Sequence, residues 1–462
     1  MRASMTIDSS WLAAFKEDVP HAFTPAPPFR PRAVFVDGQI KLMQSQPSQP
    51  QTWDEFIHRQ FARHLTRFYE RCDTVILAFD NYAHVPRAKA MTQAKRQRPI
   101  PPCPFDEHAE LPCTVPEGEL WARCIASRAF KARVIDLVLL RLPHLLLAAR
   151  PGKRLVVDYT RPVQYVMEDG QIRREELEGL ECLGEADVKF PRHADMHASL
   201  LVDSIDGDSV AIALRHHELC LRRGLTPPRV CVYRMEIKPP AARPPAPPDG
   251  PLKRREGAVA GGPLGQPDTP VAEPPAKRPR QARTYEYVHV HALYEGLMQA
   301  VAQSLGRVRL PAHQGHEMAM LLCLVGLTGT DFSRKLPQLS GAALFSYLPD
   351  LWGTLAAVFD PAADCLRVEP AADRLVALIY RTKYANHVRA HAGIEGVLQD
   401  LRASKISART KETLPSAGRV LCTLRNTNWL LAYWTCAAPP DPFQPCYGFR
   451  TGGSGRPEFA ED

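Results

Sequence analysis

The chain has 462 residues, of which 45% are hydrophobic and 23% charged, values typical of a folded globular protein rather than a disordered or fibrous one. The formal net charge of +8 is small for this length, so any nucleic-acid-binding surface on the folded part must be a local patch. The 12 cysteines form no CxxC pair, and the longest apolar run is interrupted by charged residues and a proline, so we expect an intracellular protein without membrane spans.

The first part of the chain predicts a strand, a helix and a second strand. Residues 33–36, AVFV, form a buried strand that ends on Asp37, and residues 75–79, VILAF, form another that ends on Asp80. Between them, residues 52–72 have apolar side chains at helical spacing. Two apolar strands separated by an amphipathic helix indicate a βαβ unit and therefore a parallel sheet.

The next part predicts further elements of the same kind. Residues 118–147 are typical of helix, and a strand or hairpin begins at Arg154. The segment GEADVKF predicts a helix, which is followed by a strand that ends near Asp203 and by a new element from Val210. Another strand is expected over residues 229–237.

Residues 239–284 differ in composition from the rest of the chain. They contain 13 of the 44 prolines and almost no large apolar side chains, so we expect a disordered linker. Two basic clusters, Lys253–Arg255 and Lys277–Arg283, are typical of nuclear-import signals or phosphate-binding arms, and the alternative is a solvated charge run. We therefore expect a nuclear protein, with the cytoplasm as the alternative. The chain after the linker is expected to be mainly helical.

Acidic residues follow the predicted strands at the point where each one ends. In open parallel sheets, ligand sites form beyond the carboxyl ends of the strands, because the loops converge there. Taken singly, each acid also fits a turn or a helix cap. The acids that follow strands or stand at helix ends are Asp37, Asp80, Glu185, Asp187, Asp206, Asp208 and Asp331.

Six or seven carboxylates at one place would repel one another strongly, and divalent cations with oxygen ligands are the natural compensation. Two such ions about 4 Å apart form a centre that cleaves phosphodiester bonds, because both stabilise the attacking and the leaving oxygen. The acidic set therefore predicts a metal-dependent hydrolase of nucleic acids.

The ordered set of motifs resembles the flap endonuclease or XPG-type 5′-nuclease superfamily. The motifs are AVFVDGQIKLM, VILAFDN followed by basic residues, GEADVK, VDSIDGDSVAIAL and LLCLVGLTGTDF. Glu185 precedes Asp206, and Asp187 precedes Asp208, by the same 21 residues, close to the spacing in that family. The resemblance implies that the seven acids bind two Mg²⁺ ions, with Mn²⁺ as the substitute, and that the chain is a structure-specific nuclease acting on DNA, with RNA as the second candidate.

The resemblance also implies a fold and a division of the chain. The expected fold is a PIN-like, Rossmann-like three-layer α/β/α domain with a central, mainly parallel sheet and a helical C-terminal region. Residues 1–238 and 285–345 would form the nuclease core, with an arch or cap at about 99–184 and the helical region at 346–462. The chain is expected to be a monomer, and no sliding clamp or other protein partner is assigned.

A basic segment follows the second predicted strand. Residues 84–98 contain five cations and no acid, which is what a phosphate backbone approaching the metals requires. In the resembling family, basic residues here steer the scissile phosphate; the alternative is a solvated helix face. The candidate nucleic-acid-binding residues are Arg87, Lys89, Lys95, Arg96 and Arg98.

Two rival functions remain open. A DxD pair such as Asp206 and Asp208 also holds the metal in nucleotide-sugar glycosyltransferases, but that chemistry leaves Asp37, Asp80 and Asp331 unexplained. The other rival is a nuclease-like scaffold that binds nucleic acid or protein without cutting.

Overall fold

The computed structural model describes most of the chain. The described residues are 10–16, 18–81, 101–106, 110–179, 184–204, 207–236, 284–304, 315–329, 336–367, 373–389, 393–435, 441, 444, 447, 449–451 and 457–459.

Thirteen strands are present in these residues. They are β1 Phe23–Thr24, β2 Ala33–Asp37, β3 Thr74–Ala78, β4 Arg154–Asp158, β5 Pro162–Glu168, β6 Gln171–Glu176, β7 Ser199–Asp203, β8 Arg229–Glu236, β9 Thr284–His289, β10 Phe359–Asp360, β11 Cys365–Leu366, β12 Phe449–Thr451 and β13 Pro457–Phe459.

The same residues form sixteen α-helices, joined in places by short 3₁₀ or π turns. They are α1 Ser10–Lys16, α2 Gly38–Gln44, α3 Trp53–Ile57, α4 Arg63–Thr66, α5 Gly118–Ala126, α6 Arg128–Leu147, α7 Phe190–Met196, α8 Asp208–Arg222, α9 Val290–Ser304, α10 Glu317–Leu327, α11 Gly341–Ser346, α12 Leu348–Val358, α13 Asp373–Lys383, α14 Ile394–Ala403, α15 Ala408–Thr413 and α16 Ala417–Tyr433. A 3₁₀ helix, Ala186–Val188, precedes α7.

Nine strands form one central sheet in the order β1-β9-β8-β7-β2-β3-β4-β5-β6. The five middle strands, in the order β8-β7-β2-β3-β4, run parallel to one another. Each outer strand pairs antiparallel with its inner neighbour: β9 with β8 and β1 with β9 on one side, and β5 with β4 and β6 with β5 on the other. Counted along the chain, the parallel strands lie in the order 3-2-1-4-5, which is the order of a doubly wound α/β fold. The predicted α/β class with a parallel central core is confirmed.

Helices cover both faces of the sheet because its strands are apolar on both sides. Phe35, Ile76 and Val202 pack into one core together with α1 and the helices from α7 onward. Their chain neighbours Val34 and Val75 face the other way, into a second core with α2 to α6. This alternation of buried side chains is that of strands enclosed between two helical layers.

The predicted cap segment, 99–184, contains three strands of the central sheet. Strands β4 to β6 form the antiparallel hairpins at one side of the sheet, and α5 and α6 pack into the second core. Ser127 lies between these two helices. Its hydroxyl accepts a hydrogen bond from the Phe130 amide and so caps the N-terminus of α6. The described part of this segment therefore belongs largely to the sheet and to one helical layer.

The helical C-terminal region shares its core with the sheet. Trp352, Trp429 and Tyr433 belong to the same buried cluster as Phe35 and Val202. The predicted region 346–462 is thus packed directly on the layer that carries α8. In the part of the chain that the structure describes, no helix has the length and apolar character to cross a membrane.

The linker predicted at 239–284 lies, apart from Thr284, outside the described residues. The strands on either side of it are hydrogen-bonded neighbours: β8 and β9 pair antiparallel, and Glu236 is the register partner of Thr284.

Candidate metal centre at the carboxyl edge of the sheet

Two of the predicted acids, Asp37 and Asp80, follow neighbouring parallel strands at one edge of the sheet, here called the carboxyl edge. Asp37 is the last residue of β2 and is the register partner of Ala78, which ends β3 two residues before Asp80. On the other side of β2, Val36 is level with Asp203, the last residue of β7. The boundary between β2 and β7 is also where the strand order reverses, which is the usual ligand position in doubly wound sheets.

The chain beyond β3 is joined directly to the segment that carries Glu185 and Asp187. The Asp80 carboxylate accepts a hydrogen bond from the Ala186 amide at 2.9 Å. One residue further on, the Asn81 amide donates to the Gly184 carbonyl at 2.7 Å, which forms an isolated antiparallel bridge. These two bonds join the chain segments that carry three of the predicted acids, Asp80, Glu185 and Asp187.

Asp208 reaches the same region from the other side. It is the first residue of α8, which packs against the 3₁₀ helix that contains Asp187. The Ser209 hydroxyl donates to the Ser204 hydroxyl at 2.8 Å, so the start of α8 is tied to the end of β7.

The sequence Asp-Gly after β2 is explained by close packing. The Asp37 carboxylate caps α2 by accepting a hydrogen bond from the Ile40 amide at 2.8 Å. A Cβ atom on Gly38 would lie 2.8 Å from the Phe79 ring and 2.9 Å from the Ala78 carbonyl oxygen. Glycine therefore allows α2 to begin against the end of β3, next to Asp80.

These carboxylates are buried although they are acidic. Asp37, Asp80, Glu185 and Asp208 are 2–7% exposed, and Asp187 is half-buried. Burial of several carboxylates at one place is unfavourable unless cations or hydrogen bonds compensate their charge. Hard divalent cations, which prefer oxygen ligands, are one form that this compensation could take.

A buried amide lies beside the acids. Gln39, in the first turn of α2, is 6% exposed, and neither its oxygen nor its nitrogen has a hydrogen-bond partner among the described residues. Because buried polar groups are normally hydrogen-bonded, this amide points to a polar ligand or water at the carboxyl edge.

Asp158, the acid that ends β4, is paired with two basic side chains. Asp158 is fully buried, with Lys189 Nζ at 3.0 Å and His193 Nε2 at 2.9 Å. Burial raises the pKa of the Asp158 carboxyl, but Lys189 and His193 outweigh this effect and hold the pKa below its ordinary value. Lys189 also donates to the carbonyl of Phe79 at 2.9 Å, directly before Asp80. Asp158 is therefore part of the scaffold of the site.

The negative charge of Asp203 is compensated by cations on the face of the sheet opposite to Lys189 and His193. Its carboxylate lies 3.1 Å from Lys41 Nζ on α2 and 2.9 Å from His64 Nε2 on α4. Burial raises the pKa of Asp203, whereas the His64 hydrogen bond and the Lys41 charge lower it, and the net shift is downward. The acid nearest the end of β7 is thus explained by an ion pair.

Several predicted residues lie outside the described part of the chain, and their placement stays a prediction. They are Asp206, Asp331, Arg87, Lys89, Lys95, Arg96 and Arg98, together with the two basic clusters of the linker.

The structure adds a residue that the sequence did not suggest. The hydroxyl of Tyr433, near the end of α16, accepts a hydrogen bond from the Glu185 amide at 3.1 Å. Gly184 has a φ of +117°, and a Cβ atom there would lie 2.8 Å from the same hydroxyl. The Tyr433 ring stacks on Trp429 at 4.7 Å. A C-terminal helix thus supports the backbone of the acidic segment, over an interval of 248 residues that no local pattern reveals.

No known protein-family model matches this chain, and a search of curated proteins gives no match. The chemistry of the carboxyl edge is therefore the basis for assigning a function.

Proposed function

We propose that this chain is a divalent-metal-dependent 5′-nuclease of the flap endonuclease superfamily, with a PIN-like core, that hydrolyses phosphodiester bonds in DNA. RNA is the second candidate substrate. The observation that carries the proposal is the junction at the carboxyl edge, where Asp80 and the Glu185–Asp187 segment are hydrogen-bonded to each other beside Asp37. Segments that carry predicted acids from distant parts of the sequence are joined there, which is the arrangement that a multi-carboxylate metal site would need.

The donor set fits Mg²⁺, with Mn²⁺ as the alternative ion. All of the predicted ligands are carboxylates. The Gln39 amide, which has no hydrogen-bond partner among the described residues, adds a further polar group at the same edge. Hard cations take oxygen ligands, whereas zinc and copper sites favour nitrogen and sulphur. When bound, such ions supply an activated water and stabilise the charge on the phosphoryl oxygens.

The protein sets the orientation of the ligands before any ion binds. One oxygen of Asp37 is fixed by the Ile40 amide, and one oxygen of Asp80 by the Ala186 amide. Glu185 is fixed through its own amide by Tyr433. Preorganised ligands lower the reorganisation needed when metal and phosphate bind.

The geometry favours a nuclease over the glycosyltransferase alternative. A DxD enzyme needs one acidic pair beside a nucleotide pocket. Here Asp37 and Asp80, which that chemistry leaves unused, adjoin the segment that carries Glu185.

The test is cleavage by the purified full-length protein. Labelled 5′-flap, nicked and single-stranded DNA and the matching RNA strands are incubated with Mg²⁺, with Mn²⁺, with Ca²⁺, or with EDTA. We expect cleavage with Mg²⁺ or Mn²⁺, none with EDTA, and products that carry a 5′-phosphate. Binding of these substrates without cleavage would favour the non-catalytic, nucleic-acid-binding alternative. If the protein neither binds nor cleaves them, both the nuclease proposal and that alternative are wrong.

Replacing Tyr433 with phenylalanine should slow cleavage without weakening DNA binding. The change leaves the Glu185 amide without its acceptor, and a lost hydrogen bond of this kind is worth about 1 kcal/mol, or roughly a 5-fold change. We expect kcat to fall by about that factor, KM for DNA to stay constant, and the Mg²⁺ concentration for half-maximal rate to rise.

Tyr380→Phe is the matched control, because Tyr380 is also buried and its hydroxyl donates to the Pro337 carbonyl at 2.8 Å. Among the described residues, no hydrogen bond joins Tyr380 to a predicted acid. It should lose stability to a similar extent but keep its Mg²⁺ requirement. If both variants change the Mg²⁺ dependence equally, Tyr433 has no special role at the site.

A further inference from the structure

A second group of metal-ligating side chains lies between α7 and α8. Asp195 is near the end of α7, and His216 and Cys220 are four residues apart on α8. This spacing places His216 and Cys220 on the same face of the helix, one turn apart. Each residue offers one ligand atom, and the three atoms lie within 4.8 Å of one another.

The distances are close to those of a tetrahedral zinc site. Zinc bonds of about 2.0 Å to nitrogen and oxygen and about 2.3 Å to sulphur imply ligand separations of roughly 3.3–3.6 Å. The Nε2 atom of His216 lies 3.7 Å from the Cys220 Sγ and 2.9 Å from the Asp195 Oδ1. The Asp195 oxygen and the Cys220 sulphur lie no more than 4.8 Å apart. Side-chain adjustments of up to about 1 Å would therefore bring all three atoms to one ion.

The exposure of the three side chains also suits a metal that enters from solvent. Cys220 is a buried free cysteine, the His216 side chain is 12% exposed, and that of Asp195 is 56% exposed. An ion bound here would have its sulphur and nitrogen ligands inside and a water at the remaining position. Without metal, His216 and Asp195 form an ion pair.

This group is separate from the carboxyl edge and has different chemistry. Cys220 is 12 residues beyond Asp208 on the same helix, which corresponds to about 18 Å along its axis. Thiolate and imidazole ligands select zinc over magnesium, whereas the carboxyl edge offers oxygen atoms.

We infer that Asp195, His216 and Cys220 form a zinc site that clamps α7 to α8. Both helices lead to predicted acids at the carboxyl edge: α7 follows the segment with Glu185 and Asp187, and α8 begins at Asp208. Zinc would fix the two helices relative to each other at the ends away from those acids. The inference does not depend on the nuclease proposal.

The experiment is a zinc titration of the metal-free full-length protein, with binding measured by calorimetry and unfolding by circular dichroism. We expect one tightly bound equivalent and a higher Tm with zinc. Cobalt in place of zinc should give a thiolate-to-cobalt charge-transfer band in the near ultraviolet. Cys220→Ser should lose this band and weaken zinc binding by at least about 10-fold.

Two further variants separate lost binding from lost folding. The exposed side chain of Asp195 can be removed without opening the core. Asp195→Ala should therefore weaken zinc binding while the metal-free protein stays folded, with its Tm lowered only by the loss of one half-exposed ion pair. Cys113→Ser, at an exposed free cysteine, is the matched control and should bind zinc like the wild type. The inference is overturned if the wild type binds no zinc, or if Cys220→Ser and Asp195→Ala bind it as tightly as Cys113→Ser.

Discussion

Replacement of Asp80 with asparagine should reduce Mg²⁺-dependent cleavage by about 100-fold or more. Asparagine has the same shape, and its side-chain oxygen can still accept the hydrogen bond from the Ala186 amide that fixes the acidic segment. The variant therefore removes one negative charge from the carboxyl edge and leaves its backbone in place. Loss of one preorganised electrostatic group at a reacting centre typically costs a factor of about 10²–10³.

Single-turnover cleavage and Mg²⁺ titration of the Asp80→Asn protein are the measurements. The free energy of unfolding should stay within about 1 kcal/mol of the wild type, because the geometry is conserved. Asp350→Asn, an exposed acid in the first turn of α12, is the control and should retain full activity. Wild-type cleavage by Asp80→Asn would mean that the carboxyl edge does not hold the catalytic metal.

Replacement of Lys189 with methionine should produce the largest loss of stability, about 3–5 kcal/mol, the range for breaking a buried ion pair. The Lys189 and Asp158 side chains are 1% and 0% exposed, so water cannot replace the lost ammonium group. The carbonyl oxygens of Phe79 and Tyr159 would each lose a donor at 2.9 Å. Because Phe79 directly precedes Asp80, we also expect a lower cleavage rate.

Denaturant unfolding at several pH values checks this expectation. In the wild type the Asp158 pKa lies below its ordinary value of 3.8, so the stabilisation by the ion pair is complete at neutral pH and lost only as pH falls through the lowered pKa. In the variant, burial acts on Asp158 without Lys189 and raises its pKa. His193 is then the remaining cation beside Asp158 among the described residues. Protonation of Asp158 relieves its poorly compensated charge, so the difference in stability from the wild type should narrow as pH falls through the raised pKa.

Lys153→Met is the matched control for Lys189→Met. Lys153 lies 2.8 Å from Asp73, whose side chain is 81% exposed, and such surface pairs contribute about 1 kcal/mol or less. Equal destabilisation by the two substitutions would show that the buried triad of Asp158, Lys189 and His193 has no special part in the fold.

The strands at the centre of the sheet were predictable because their signal is local. AVFV and VILAF are continuous apolar runs, as expected for strands covered by helices on both faces, and β2 and β3 occupy those residues. The hairpin expected after Arg154 is also present, with the turn Glu168-Asp169-Gly170-Gln171 between β5 and β6. Their carboxyl ends then had to meet at one edge, since parallel strands run in the same direction.

The function of each acid was less predictable, because it depends on partners that are distant in sequence. Asp203 stands in a stretch without lysine or arginine, but its partners Lys41 and His64 come from α2 and α4. Asp158 ends its strand as Asp37 does, yet it is compensated by Lys189 and His193. An acid after a strand therefore predicts a position at the carboxyl edge, but not whether the acid binds a metal or an ammonium group.

The packing partners of the helices also could not be predicted from local sequence patterns. Periodicity predicts that a segment such as α16 is amphipathic, but it does not indicate which surface the helix covers. In the structure, Thr427 of α16 fills the space beside Gly326 of α10, where a Cβ atom would lie only 2.7 Å from its methyl group. Six residues further along α16, the Tyr433 hydroxyl accepts the hydrogen bond from the Glu185 amide.

The pairing of Glu236 with Thr284 has a consequence for how this chain tolerates change. The last residue of β8 and the first residue of β9 are adjacent in the sheet, roughly 5 Å apart as in any antiparallel pair. The segment between Glu236 and Thr284 therefore has almost no distance to span. Doubling its length would cost only about 0.6 kcal/mol in loop-closure free energy. Natural variation in the length of this segment can therefore accumulate while the central sheet and its carboxyl edge keep their structure.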